Sequence, residues 1–203
     1  MLHGEVRPDG GLTHGLGLRA TAAIAAGTVI WFPCRNCPTW TMQERALLPR
    51  DVDARLDMWG HLLADGRLLV PCAGAHLMNH SCAANVLDFG LDFGLAVRDI
   101  AAGEEVTCDY GAFFADEGWT MRCHCGATEC RSDVASSDYD DPALRKGWVG
   151  LVSAALPATR VVDQPLGPLL ASQSEVYRRV VAGASTVDDA ANGDSIVQPG
   201  FLT

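Results

Sequence analysis

The sequence is short of positive charge. It carries 15 basic against 25 acidic residues, a formal net charge of −10, and such a surface repels the phosphates of nucleic acid. No nucleic-acid partner is therefore expected, and a basic peptide is the better electrostatic match. Long apolar runs are missing too. None approaches the roughly 20 residues that a membrane-spanning helix needs, so no membrane partner is expected. The first ten residues include His3, Glu5, Arg7 and Asp9 and lack the apolar centre of a secretory signal. No internal repeat is present, which sets aside repeat architectures.

Cysteine, by contrast, is plentiful. Eight cysteines without an export signal point to a reducing compartment, the cytoplasm by default, where thiols bind metal or pack in a core. Hydrophobic residues make up 48% of the chain, ordinary for a globular protein with a real core. A length of 203 residues suits one domain with a tail or a small appended unit.

Short strands joined by turns predict a mainly β, α+β domain rather than a wound α/β sheet. Gly17 to Phe32 reads as two strands around Ala26-Gly27, with Gly15 and Gly17 letting the backbone approach a neighbour closely. Residues 34–66 change pattern. Thr41 to Leu48 looks like a capped helical turn, and Asp51 to Leu63 places Val52, Leu56, Met58, Trp59, Leu62 and Leu63 at helical spacing. This segment is a helical insert between β-rich parts. Leu68-Leu69-Val70 predicts a strand, Asn85 to Asp99 a hairpin, and Glu105 to Gly111 another strand. Pro142 to Leu156 and Gly167 to Val181 predict two amphipathic helices. Residues 183–203 are small, polar and acidic, the composition of a frayed tail.

Three features carry chemistry. Cys123, Cys125 and Cys130 lie two and then five residues apart; three thiolates this close converge on one ion, and structural zinc asks for a fourth ligand from elsewhere. Asn79-His80-Ser81-Cys82, with Asn85 three residues on, would alone be a turn with satisfied side chains. Glu104 to Gly111 would alone be a strand ending in a turn.

Taken together and in order, these features resemble the SET-domain protein lysine methyltransferases. The carriers are His14-Gly15-Leu16-Gly17-Leu18-Arg19-Ala20, Asn79-His80-Ser81-Cys82 with Asn85, Ala102-Gly103-Glu104-Glu105-Val106-Thr107-Cys108-Asp109-Tyr110-Gly111, and the cysteine cluster, similar to the family's post-SET segment. The match runs from about residue 12 to about residue 132. The resemblance implies small curved β-sheets around a pseudo-knot, a rare exception to unthreaded topology. It implies a SET domain over 1–118 with its insert at about 34–66, a post-SET-like segment over 119–132, and a C-terminal extension over 133–203 with two helices and a flexible tail. It further implies S-adenosylmethionine as cofactor, held by His14, Gly15, Leu16, Gly17, Asn79, His80 and Tyr110. Tyr110 would be catalytic, Cys108 would line the substrate channel, and Cys82 would join Cys123, Cys125 and Cys130 around a structural Zn²⁺. The implied partner is a protein or peptide presenting a lysine, or a small-molecule amine.

Methyl transfer to lysine needs a neutral amine, yet the free side chain has a pKa of about 10.4. A narrow apolar channel favours the neutral form by desolvation. A tyrosine with a pKa near ~10 orients such an amine better than it deprotonates it. Three positions depart from the family pattern. Ala84 stands in place of a proline, Leu16 in place of a larger side chain, and Cys108 in place of Tyr or Phe, which bears on how many methyl groups fit. Cys34 and Cys37 read as core or loop thiols ahead of a redox dithiol or, with Cys72, a second metal site. His61, His76 and His124 read as structural or solvent-facing, and Phe113, Phe114 and Trp119 as core or as an adenine platform. A catalytically idle, zinc-stabilised interaction module is the competing reading from another class.

Overall fold

A computed structural model of the chain describes residues 1–12, 14–63, 65–113 and 118–191. Its main sheet holds β1 (Val6–Leu12), β2 (Gly15–Ala20), β3 (Val29–Trp31), β7 (Asn79–His80), β8 (Val86–Leu87), β9 (Gly94–Ala96) and β10 (Glu105–Cys108). The strand order is β1-β2-β10-β8-β9-β3, with β7 also on β10. β10 is the meeting point. Its first half pairs antiparallel with β2, Val106 opposite Leu18. Its second half runs parallel to β7, Thr107 opposite Asn79 and Cys108 opposite His80, and Cys108 also faces Val86. Segments more than 60 residues apart in sequence are thereby laid on one four-residue strand, giving the curved, sheet-rich SET fold.

β1 is absent from the sequence-based reading. Val6-Arg-Pro-Asp-Gly-Gly-Leu12 has no apolar alternation and is mostly exposed. It is an edge strand held by pairing with β2, where Pro8 is tolerated because one side faces solvent.

The insert is less helical than expected. It contains α1 (Met42–Arg45), capped by a reciprocal Thr41–Glu44 box, and α2 (Arg50–Trp59). It also forms a three-stranded sheet of β4 (Thr39–Trp40), β5 (His61–Leu62) and β6 (Leu68–Leu69) in the order β4-β6-β5. The predicted helix over 51–63 ends at Gly60, and the last two apolar positions of its pattern are strand and loop. α2 buries no residue, so its apolar spacing does not mark a core face.

Beyond β11 (Thr120–Arg122) and β12 (Asp133–Ala135), the C-terminal part is helical. α3 (Pro142–Ala155) starts where Asp141 caps it and Pro142 fits its first turn. The single helix expected over 167–181 is instead two, α4 (Gly167–Gln173) and α5 (Glu175–Val181), broken at Ser174. Ser174 is fully buried, caps α5 through the Tyr177 N–H, and donates its hydroxyl to Asp92 at 2.7 Å. A polar side chain with two such partners stabilises a break that helical periodicity alone would bridge.

Residues 183–191, read as frayed, fold into α6 (Val187–Asp189) with Val187 and Ala190 buried. The rest of the expected tail, 192–203, lies outside the described residues. Trp148, Val152, Leu170 and Val180 share one core with Phe32, Phe89, Phe93 and Leu95. At about 1.5–3 kcal/mol per large buried side chain, the extension is integral to the domain's stability. Gln164 adds a polar tie, accepting from the Val29 N–H and donating to the Gly27 carbonyl.

Candidate active site

A cavity of about 550 Å³ opens between β10, the insert and the segment around Trp119 to Met121. Tyr110, Cys108 and Met78 line one side of it; Met58, Trp59 and His61 line the other. The strand expected to run to Gly111 stops at Cys108, and Tyr110 begins a single 3₁₀ turn capped by the Asp109 side chain. That turn swings the phenol off the sheet into the cavity. Gly111 serves by close approach: a Cβ there would lie 3.0 Å from Asp138 and 3.1 Å from the Arg131 guanidinium.

Three hydrogen bonds fix Tyr110. Its hydroxyl donates to the Met78 carbonyl at 2.9 Å, and its N–H donates to His80 Nδ1 at 3.0 Å. Its ring packs against His80 and Phe113. Burial first, then the neighbouring Cys108 and Glu105, pushes the phenol's pKa well above its ordinary value. The group is therefore a neutral hydroxyl, unable to act as a base near pH 7. Cys108 is buried and its thiol is pushed well up by desolvation, so it too stays neutral.

His80 is committed to the protein. Because Nδ1 accepts from the Tyr110 N–H, the ring proton sits on Nε2, which points at Cys82 Sγ 3.4 Å away. Burial pushes its pKa down to about 4, so it is a neutral donor to sulfur. One imidazole thus joins Tyr110 to the cysteine cluster.

Asn79 plays the matching part toward β2. Its amide donates to the Leu16 carbonyl at 3.3 Å and to Glu105 at 2.8 Å. This works only because Gly17 has no side chain: a Cβ there would sit 2.4 Å from the Asn79 amide nitrogen. The Leu16 side chain is 54% exposed and its carbonyl does the bonding, which explains why a leucine is acceptable there. His14, Gly15 and Leu16 lie exposed beside this junction, and a Cβ at Gly15 would meet nothing within 4 Å. Asn85 is fully buried and splices β10 into place, donating to the Glu105 carbonyl and accepting from the Thr107 N–H. The replaced proline at Ala84 removes nothing from this exchange.

Cys82, Cys123, Cys125 and Cys130 come together with their sulfurs all within 4.8 Å of one another. Cys123 Sγ lies 3.8 Å from Cys82 Sγ and 3.6 Å from Cys130 Sγ. A tetrahedron of sulfurs at zinc's ~2.3 Å bond length has edges of about 3.8 Å, so the donor set and spacing suit that ion. The N–H groups of Cys82, Cys125 and Arg131 point at sulfurs at 3.4 Å. At Cys125 burial opposes the thiolate, but N–H donors from Cys82 and Ala127 prevail and hold the thiol down to about 6.

Asp109 links these parts. It is buried, accepts from both Arg131 guanidinium nitrogens, from the Trp148 indole at 3.1 Å and from the Gly111 N–H at 3.0 Å. Sequence reasoning passed over it, because its partners lie 22 and 39 residues downstream. It also missed Trp31, Trp59 and Met78, which line the cavity through tertiary packing alone. His61 and His76, read as structural or solvent-facing, line the cavity as well; His61 stacks on Trp31 and meets Phe113 edge-on, and desolvation pushes it down to about 4. His124 is exposed as expected. Phe113 and Trp119 both face the cavity, whereas Phe114 lies outside the described residues.

The SET domain family model matches residues 15–111. Histone-lysine N-methyltransferase ATX2 of Arabidopsis thaliana is 36% identical over 74 residues, 33% of this chain and 7% of that protein. Histone-lysine N-methyltransferase 2D of Homo sapiens is 39% identical over 64 residues, 28% of this chain and 1% of that protein. Histone-lysine N-methyltransferase SUVR5 of Arabidopsis thaliana is 31% identical over 147 residues, covering 58% of this chain and 10% of that protein. The chain thus spans a tenth or less of the length of these relatives. A crystal structure of KRYPTONITE in complex with mCHG DNA and SAH is similar over 64% of this chain and 28% of that chain, at 19% identity and a TM-score of 0.44. The chain is a SET-domain protein: residues 15–111 form the domain, and the relatives it resembles there are histone-lysine methyltransferases.

Proposed function

We propose that the chain is an S-adenosylmethionine-dependent N-methyltransferase acting on a lysine side chain of a protein, in a reducing compartment such as the cytoplasm. The observation that carries this reading is the neutral Tyr110 hydroxyl, tied to the Met78 carbonyl and pointing into a cavity whose remaining walls are mostly apolar and aromatic. His14, Gly15, Leu16, Gly17, Asn79 and His80 would hold the cofactor, since β2 and β7 bring them side by side and leave the surface over Gly15 open. S-adenosylmethionine supplies, when bound, a methyl group on a positively charged sulfur. Every other requirement falls on the chain.

Trp31, Trp59, His61 and Phe113 exclude water and disfavour the charged form of an entering amine. His61, neutral near pH 7, adds no positive charge to repel it. The Tyr110 oxygen spends its proton on Met78 and keeps lone pairs free to accept from the amine's N–H, which holds the nitrogen lone pair in line for attack. Cys108 leaves more room beside the amine than a tyrosine would. At the mouth, Asp57 and the net charge of −10 favour a basic peptide. The four sulfurs of Cys82, Cys123, Cys125 and Cys130 would hold one structural Zn²⁺.

Incubation of the zinc-replete protein with labelled S-adenosylmethionine and candidate lysine-bearing proteins, alongside calorimetry with the cofactor, tests the proposal. Cofactor binding and label on a lysine are expected. A protein that binds no cofactor is the idle interaction module instead.

A further inference from the structure

Three cysteines outside this site also converge. Cys34, Cys37 and Cys72 place their sulfurs within 4.8 Å of one another, Cys34 Sγ lying 3.9 Å from Cys37 Sγ and 3.3 Å from Cys72 Sγ. The sequence puts the first two on one turn, closed by the Cys37 N–H to the Cys34 carbonyl at 2.9 Å. The fold supplies the third. Thr39 pairs with Leu69 across β4 and β6, and the Val70 N–H reaches the Pro38 carbonyl, so the chain leaving β6 passes beside the turn. There the Cys72 N–H points at Cys37 Sγ at 3.4 Å.

We propose that Cys34, Cys37 and Cys72 bind a second zinc ion, with solvent in the fourth position, and that this ion clasps the base of the insert. Three observations support it. A two-electron dithiol uses two sulfurs, yet here the third sulfur is nearer to Cys34 than its own turn partner is. A third thiol is surplus to redox exchange but is what a thiophilic cation collects. The S···S separations bracket the edge of about 3.8 Å expected around tetrahedral zinc. The N–H aimed at sulfur repeats, at the same 3.4 Å, the device seen at the four-cysteine cluster. Among the described residues no fourth Cys, His, Asp or Glu joins the group; half-buried Cys72 gives water access to the last position.

The clasp has a job. Between Cys37 and Cys72 lie β4, α1, α2, β5 and β6, yet α2 buries nothing and each strand is two residues long. That segment carries Trp59 and His61 into the cavity wall. An ion joining both ends of the segment closes a loop of 35 residues and limits how far that wall can move.

Metal analysis and native mass spectrometry of the full chain, purified in reductant, test this without any activity assay. Two zinc ions per chain are expected, falling to one in a Cys34→Ser/Cys72→Ser variant that keeps cofactor binding. Alkylation mapping of the wild-type chain covers the case where that variant does not fold. A chelator should open Cys34, Cys37 and Cys72 to label while Cys108, buried and outside both clusters, stays protected. A wild-type chain with one zinc, or label at these three cysteines that ignores the chelator, overturns the proposal. Two zinc ions in a chain without methyl transfer would sink the proposed function and leave this site standing.

Discussion

The two sides of the cavity are built to different standards. On the β10 side every group is tied down: Met78 and Cys108 are almost fully buried, and Tyr110 is held through hydroxyl, N–H and ring. On the insert side Met58 is 75% exposed, and α2 is held mainly by Arg45 bridging to Asp53 and Asp57 within the insert itself. A transfer reaction asks for tight placement of the reacting amine and tolerance of the peptide around it. The difference teaches that the groups fixing the amine and the groups meeting the rest of a substrate are stabilised separately. Local opening should therefore begin in the insert.

The comparison breaks first if its rigid side depends on less than claimed. Asp109→Ala removes the partner of Arg131, whose side chain is only 17% exposed, and strands the Trp148 indole. Leaving a buried charge unpaired costs roughly 3–5 kcal/mol, so urea denaturation should show a loss of that order. A loss below 1 kcal/mol would mean the junction is not what holds Tyr110's turn. Next comes Tyr110→Phe, which keeps the ring and deletes the hydroxyl. Turnover should fall roughly 10²-fold or more while cofactor affinity and melting temperature change little; near-parental turnover would make this tyrosine structural only.

Cys108→Tyr sharpens the contrast from within. A phenol at this buried position has to grow into the cavity, so mass spectra should shift from di- or trimethylated product toward monomethylated. An unchanged distribution would take the residue out of the channel. The smallest effect is expected on the loose side. Met58→Ser should leave stability within about 0.5 kcal/mol and alter KM for a peptide more than kcat. A large loss of stability would show that α2 is anchored after all, as would amide exchange in α2 as slow as in β10.

Much of the site was readable before any fold. His80, Cys82, Cys108, Tyr110 and the 123–130 cysteines stand in compact motifs whose spacing is itself the signal, and the structure gathers them into two adjoining clusters around His80. The insert shows where such reading stops. Apolar residues at helical spacing predicted a buried face, but α2 faces solvent and the cavity, because amphipathic spacing says nothing about what lies opposite. Ser174 shows the same limit in a helix: the break depends on Asp92, 82 residues earlier, and local propensity cannot see that partner.

The sequence alone determined what is local: the Thr41–Glu44 and Asp141–Pro142 helix starts, the 85–99 hairpin, the turn that pairs Cys34 with Cys37, and three of four sulfurs in the larger cluster. These follow from contacts among residues a few positions apart, where backbone geometry leaves few choices. Tertiary structure decided the rest. It brought Cys82 to Cys123 and Cys72 to Cys34, aimed Asp109 at Arg131 and Trp148, and chose which aromatics wall the cavity. Each of those depends on strand pairings between distant segments, above all on β10, and no period in the sequence encodes which distant segment will be its neighbour.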